Sequence, residues 1–194
     1  QSEYLSTFGL HNDVVLDRIA ELRSRYVLIT SMFTFEQRLV DELVIEIKKK
    51  FPTIKIVVGG IHASARPMWH FDSSSPDVIV LGEGEETIVK LIQEFEKTTP
   101  DLASVHGIMF RNSCGSFVRT RPRPLLKDLN RPWALAKVLR REDGALRYRD
   151  ALTAKSPVYR SSIDTQSFAL YGSRGCPFSC SYCATSPRDG TKLR

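Results

Sequence analysis

Residues 54–87 read IKIVVGGIHASARPMWHFDSSSPDVIVLGEGEET, and their reading decides the fold. Two short runs rich in β-branched residues, 54–58 (IKIVV) and 77–81 (DVIVL), each stop at glycine. The first ends on Gly59 and Gly60, the second on Gly82, Glu83 and Gly84. Such runs, apolar at nearly every position and closed by turn residues, have the pattern of strands buried on both faces in a parallel sheet. Upstream, residues 26–30 (YVLIT) repeat the pattern. Between the strands lie helical periods. Thr34 opens a helix with Gln37 three residues on as its capping-box partner. Leu39, Val40, Leu43, Val44 and Ile47 then form one apolar stripe,. Lys48, Lys49 and Lys50 suit the negative end of that helix, and Pro52 follows its stop. After Gly84 a second stripe carries Ile88, Leu91, Ile92 and Phe95.

Strands alternating with helices predict right-handed βαβ units in a doubly wound α/β domain, spanning residues 1–120. Residues 107–111 and 116–120 predict a hairpin around Asn112 to Gly115, added at an edge of the sheet. A helix over residues 12–24 precedes the first strand, but no strand precedes that helix. The chain also starts at Gln1 rather than Met, so the sheet is expected to be incomplete at its N-terminal end. Residues 121–165 change character. Prolines at 122, 124, 132 and 157 stand among basic residues, the composition of an inter-domain connector with one short helix near 133–141,. Residues 166–173 (QSFALYGS) have strand composition and lead directly into a cysteine cluster. Residues 166–194 are thus expected to begin a second domain and not to complete it.

The composition is that of a soluble globular protein: 194 residues, 42% hydrophobic and 26% charged,. No apolar run reaches the roughly 18–20 residues of a membrane span, and the N-terminus lacks the order of a secretory signal. The formal net charge is +6. Between positions 119 and 160 there are twelve Lys or Arg and four Asp or Glu, so this segment alone exceeds the net charge. Without interleaved aromatics it reads as a solvated connector or a face that meets another domain, not as a nucleic-acid surface.

Of the four cysteines, Cys176, Cys180 and Cys183 fall within eight residues, in the spacing C-x-x-x-C-x-x-C with Tyr182 before the last. Three neighbouring cysteines cannot all pair with one another. With no export signal, a cluster or metal in a reducing, cytoplasmic setting fits them better than disulfides. Thiolates suit iron–sulfur clusters and zinc. Three thiolates leave one iron of a cubane open to a small molecule, whereas electron-carrying clusters normally have four. Cys114, in the expected hairpin loop, reads as a free thiol.

With its preceding strand, its Ser173-Arg174-Gly175-Cys176-Pro177 lead-in and Tyr182, this motif resembles the radical S-adenosylmethionine superfamily. The resemblance implies that Cys176, Cys180 and Cys183 hold a [4Fe–4S] cluster at the first strand of a TIM-like barrel. It further implies that the open iron chelates S-adenosylmethionine for reductive cleavage, with Tyr182 near the adenine.

The three loops after the strands resemble, in their order, the flavodoxin-like cobalamin-binding domain found upstream of many such enzymes. Thr30, Ser31, Met32 and Thr34 of the first loop, and Gly59, Gly60, Ile61 and His62 of the second, match positions lining the cofactor's nucleotide tail. Gly82, Glu83, Gly84 and Glu85 match the last loop. The D-x-H-x-x-G pattern of mutase-type relatives is absent. His62 follows the wrong strand for an axial ligand and is expected to be dispensable for cobalt. Glu83 and Glu85 are expected to stabilise a helix N-terminus rather than to act as acid and base.

Together the resemblances imply a cobalamin-dependent radical S-adenosylmethionine enzyme, for methyl transfer to carbon or for radical cyclisation or rearrangement. Its partners would be a small-molecule substrate and a reductant such as flavodoxin or ferredoxin. Two alternatives remain open: a non-catalytic cobalamin or iron–sulfur module, and a methylthiotransferase-type enzyme, which the glycine loops fit less well.

Overall fold

A computed structural model describes residues 10–129, 173–178, 180–183 and 193. The chain divides into two compact units, one of residues 16–127 with 173–194, the other of residues 1–15 with 128–172. Residues 121–127 of the expected connector therefore continue the sheet-containing unit, and the cysteine motif belongs to that unit as well. The short helix expected near 133–141 lies outside the described residues, as does the strand expected at 166–173 apart from Ser173.

The sheet has five strands in the order β1 (Tyr26–Thr30), β2 (Lys55–Gly59), β3 (Val78–Val80), β4 (Ile108–Arg111) and β5 (Phe117–Arg119). β1, β2 and β3 are parallel, while β4 and β5 form the expected hairpin, antiparallel to β3 at the edge. Helix α1 (Asn12–Glu21) precedes β1 and is shorter than expected. α2 (Gln37–Lys50) connects β1 to β2, and α5 (Glu85–Phe95) follows β3.

Two short helices, α3 (Ile61–Ala65) and α4 (Pro67–Ser73), connect β2 to β3, and the sequence pattern does not announce them. With five and seven residues, neither is long enough to show a helical period. Their one sequence mark is Pro67, which needs no amide donor in a first turn.

Successive strand residues face opposite sides. Val57, Val78, Val80, Ile108 and Phe110 pack with Leu91 of α5 in one buried cluster, with Ile88 and Phe95 against it. Ile56, Val58 and Ile79, also buried, alternate to the other face. Right-handed crossovers place α2, α3 and α4 there. Both faces of β2 and β3 are thus covered, as their apolar runs required, whereas β1, also expected to be buried on both faces, stands at the edge of the sheet with no buried residue and with Leu28 52% exposed.

On α2 the buried apolar residues are Val40, Val44 and Ile47, whereas Leu39 is exposed and falls off the expected stripe. Lys48 at the end of α2 pairs with Asp77 at the entrance to β3. The same carboxylate accepts the Ile56 amide proton at 2.7 Å, tying helix and strands together. No helix among the described residues is long and apolar enough to cross a membrane.

Candidate cofactor site

Parallel register brings the carboxyl ends of the strands to one edge. Thr30 lies beside Gly59, and Val58 beside Ile79. The first two loops are joined by their own backbone: Ser31 N–H donates to Gly59 O at 2.7 Å, and His62 N–H donates to Ser31 O at 3.1 Å. Gly60, at φ +106°, makes this closure possible. A Cβ there would stand 2.4 Å from Ser31 O, so only glycine fits,. The third loop is stitched to the second by Gly82 N–H donating to Ser64 Oγ at 3.0 Å.

Beneath this edge runs a buried polar network. His70 is fully enclosed, with Nδ1 2.6 Å from Asp41 Oδ1 and Nε2 3.2 Å from Ser31 Oγ. Ser74 Oγ donates to the same Asp41 oxygen at 2.7 Å, and Gln37 Nε2 donates to the other at 3.1 Å. The Ser31–His70–Asp41 order resembles a hydrolytic triad. Ser31 is completely buried, however, and no substrate can reach its hydroxyl. The network instead holds the Ser31 turn in place.

His62 extends the same network. Its Nδ1 lies 3.2 Å from Thr34 Oγ1 and its Nε2 lies 3.1 Å from Gln37 Oε1. Gln37 donates its amide to Asp41, so its carbonyl is left to accept from Nε2–H, and the Thr34 hydroxyl donates to Nδ1. Burial, and then the neighbouring His70, lower the His62 pKa, which agrees with this neutral form,. Both ring nitrogens are engaged within the protein. The capping box expected between Thr34 and Gln37 is replaced by this arrangement. Residues Thr34–Glu36 form a 3-10 turn without a side-chain cap, and both candidate capping side chains turn to His62.

The predicted loop residues separate by exposure. Ser31, His62 and Glu83 are buried. Thr30 and Thr34 are exposed, and Met32, Gly59, Gly60, Ile61, Gly82, Gly84 and Glu85 are half-buried along the edge. A cleft of about 190 Å³ opens there between Ser64 and Gly82 on one side and Thr120 and Pro122 on the other. It is smaller than the roughly 300–1,000 Å³ that encloses a drug-sized ligand. Of the residues predicted from the sequence, only Gly82 and Glu83 of the third loop line it, beside the charged Arg119 and Arg123.

The glutamates of the third loop have tertiary partners that the sequence did not reveal. Glu85 and Glu86 occupy the first turn of α5, where negative charge is favourable,. Glu86 also pairs with Arg123, and Glu83 Oε2 accepts the Leu126 amide proton at 2.8 Å. Arg174, from the cysteine motif, reaches Glu85 Oε1 at 2.7 Å and Glu83 Oε1 at 3.4 Å.

Cys176 and Cys183 are half-buried, Cys180 is exposed, and Tyr182 is 90% exposed. Cys183 N–H donates to Cys180 O in a turn. Three thiols within eight residues have the donor chemistry of an iron–sulfur site. Their sulfurs are not gathered: among the described residues no three His, Cys, Asp or Glu side chains converge as a metal site. Cys114 is exposed in the hairpin loop.

Residues 4–92 match the B12 binding domain. They belong to that family. The B12-binding domain's fold recurs in solved structures. The chain aligns with OxsB, a cobalamin-dependent S-adenosylmethionine radical enzyme solved with aqua-cobalamin and S-adenosylmethionine, at TM-score 0.74 and 18% identity over 96% of this chain and 23% of that one. It aligns with TsrM from Kitasatospora setae, a radical S-adenosylmethionine methyltransferase solved with cobalamin and a [4Fe–4S] cluster, at TM-score 0.61 and 20% identity over 93% and 34%.

Among curated proteins, the anaerobic magnesium-protoporphyrin IX monomethyl ester cyclase of Synechocystis is 29% identical over 91% of this chain. The cobalamin-dependent radical SAM methyltransferase TokK of Streptomyces tokunonensis is 30% identical over 71% of it. The aligned region spans 32% and 18% of those two relatives.

Proposed function

We propose that the B12-binding domain takes the nucleotide tail of cobalamin at the loops carrying Thr30, Met32, Thr34, Gly59, Gly60, Ile61, Gly82 and Gly84. We also propose that Cys176, Cys180 and Cys183 hold the [4Fe–4S] cluster of a radical S-adenosylmethionine enzyme. The observation that carries this reading is the convergence of three strand-end loops at one edge, with Arg174 of the cysteine motif ion-paired to the third. The reaction class is methyl transfer to carbon or radical cyclisation, with the electron supplied by a reductant such as flavodoxin or ferredoxin.

The cofactors would supply the bond-breaking chemistry, and the chain's own residues bind and orient them. Ser31, buried on His70, fixes the first loop. Gly60 lets the second loop close on the first. Tyr182, exposed beside Cys183, is free to stack on an adenine,.

Two measurements test the reading. Hydroxocobalamin titrated into the protein is expected to give a base-off visible spectrum, unchanged in kind by His62→Ala. No spectral change on titration would defeat the cobalamin assignment. Anaerobic reconstitution is expected to yield about four irons per chain. Adding S-adenosylmethionine is expected to perturb the reduced cluster's electron paramagnetic resonance signal. Ala at any of the three cysteines abolishes that signal, while Cys114→Ala leaves it. One tightly bound zinc and no iron would overturn the cluster assignment.

A further inference from the structure

We propose that Glu83 and Glu85 form a two-carboxylate socket that seats Arg174 and thereby positions the cysteine loop at the cofactor edge of the sheet. The inference deepens the cluster reading above and rests on it for its purpose, but its geometry stands apart from any bound group.

The socket joins residues 91 and 89 positions apart in sequence. It lies within the one compact unit that contains both the sheet and residues 173–194. Arg174 Nη1 donates to Glu85 Oε1 at 2.7 Å, a charge-assisted hydrogen bond of good length, and lies 3.4 Å from Glu83 Oε1,. The Glu83 side chain is only 4% exposed. Its second oxygen is held by the Leu126 amide, so the carboxylate cannot swing away. Two carboxylates this close, one of them buried, repel each other and need a cation between them. Glu85 Oε2 is buried without a hydrogen-bond partner, so that carboxylate depends on Arg174 for compensation,.

The residues directly after Arg174 give the socket its consequence. Gly175 stands at φ +96°, a conformation that side chains other than glycine resist,. Cys176 comes next. An anchored arginine and a glycine-only turn set the direction in which the first cysteine leaves the sheet edge. Arg174 is thus a positioning residue. It acts on the cysteine loop through the backbone, and the acidic residues of the third strand-end loop set its place.

The test uses the whole chain, free of metal. The alkylation rate of each cysteine by iodoacetamide is followed by mass spectrometry, with exposed Cys114 as internal reference. Arg174→Gln and Glu85→Gln are each expected to raise the Cys176 rate about tenfold relative to Cys114, as loss of one charge-assisted hydrogen bond shifts a local opening equilibrium. Exchange of Glu85 and Arg174 for each other is expected to bring the rate back towards that of the unaltered protein, which a merely structural loss would not do. Thermal melting identifies variants that fail to fold. If Glu83→Gln is one of them, the half-exposed Glu85 keeps the test open. Unchanged Cys176 alkylation in folded Arg174→Gln and Glu85→Gln overturns the socket. A socket that passes while reconstitution gives no iron leaves the positioning intact and removes only the cluster.

Discussion

His62 is buried and uncharged at neutral pH, and both properties have consequences that can be measured. Burial lowers its pKa, His70 and Arg66 lower it further, and Asp41 opposes them. In the folded state it therefore binds protons less readily than in the unfolded chain. Stability from this group is intact above the ordinary histidine value of about 6.5 and falls as pH drops through the lowered value. Urea midpoints measured between about pH 7.5 and 5.5 are expected to fall more steeply for the unaltered protein than for His62→Gln. Equal slopes would remove His62 from the acid response.

Gly60 gives a second test at this scale. Its φ of +106° and the 2.4 Å approach to Ser31 O leave no room for a methyl group. Gly60→Ala is expected to cost at least about 1–3 kcal/mol from the backbone alone, read as a lowered urea midpoint. It should weaken cobalamin binding as the first two loops part. The adjacent glycines were plain in the sequence, but the need for one of them was not. That need comes from Ser31, in the loop after the preceding strand, and no local pattern records it.

Among the elements, α2 and α4 are held together by Asp41, which accepts from Gln37, His70 and Ser74. Removing a buried charged acceptor leaves its donors unmatched. Asp41→Ala is expected to destabilise the fold by about 3–5 kcal/mol, and Asp41→Asn, which preserves shape, by less. Chemical denaturation of the two variants decides this, and equal midpoints for Asp41→Ala and the unaltered protein would show that the network contributes nothing.

The elements most legible in the sequence are the strands, whose apolar β-branched runs stop at turn residues, although only β2 and β3 are buried as those runs implied. The YVLIT run coincides with β1, and the two later runs agree with β2 and β3 to within a residue at each end. Thr34 and Gln37 mislead for a physical reason. The same side chains that cap a helix can hydrogen-bond any nearby donor or acceptor, and here His62 from another loop takes both. Asp41 is equally hidden, since a carboxylate on an amphipathic helix is ordinarily solvated.

For the molecule as a whole, ligand binding and stability are linked. A ligand that binds only the folded chain stabilises it by mass action, about 2.7 kcal/mol at a hundredfold excess over its dissociation constant. Hydroxocobalamin at that excess is expected to raise the unfolding free energy by this amount, and calorimetry without such a shift would argue against binding at the sheet edge. The convergence of the three strand-end loops was legible because parallel topology brings them to one edge. The link between that edge and the cysteine motif was not. Glu83 and Arg174 are each ordinary in their local sequence, and only the folded chain brings them within reach.

The hairpin that closes the sheet has an effect on how the protein behaves in crowded solution. An open strand is a template on which a second molecule can add its own backbone. β5 offers only three residues for that purpose, ending at the exposed Arg119, and Arg111 of the adjoining strand lies with its guanidinium 4.7 Å from the centre of the Phe117 ring. A neighbouring copy approaching along this edge meets positive charge before it meets unpaired amides. Self-templated fibre growth from the β5 edge is therefore disfavoured at concentrations where a longer, uncharged edge would nucleate it.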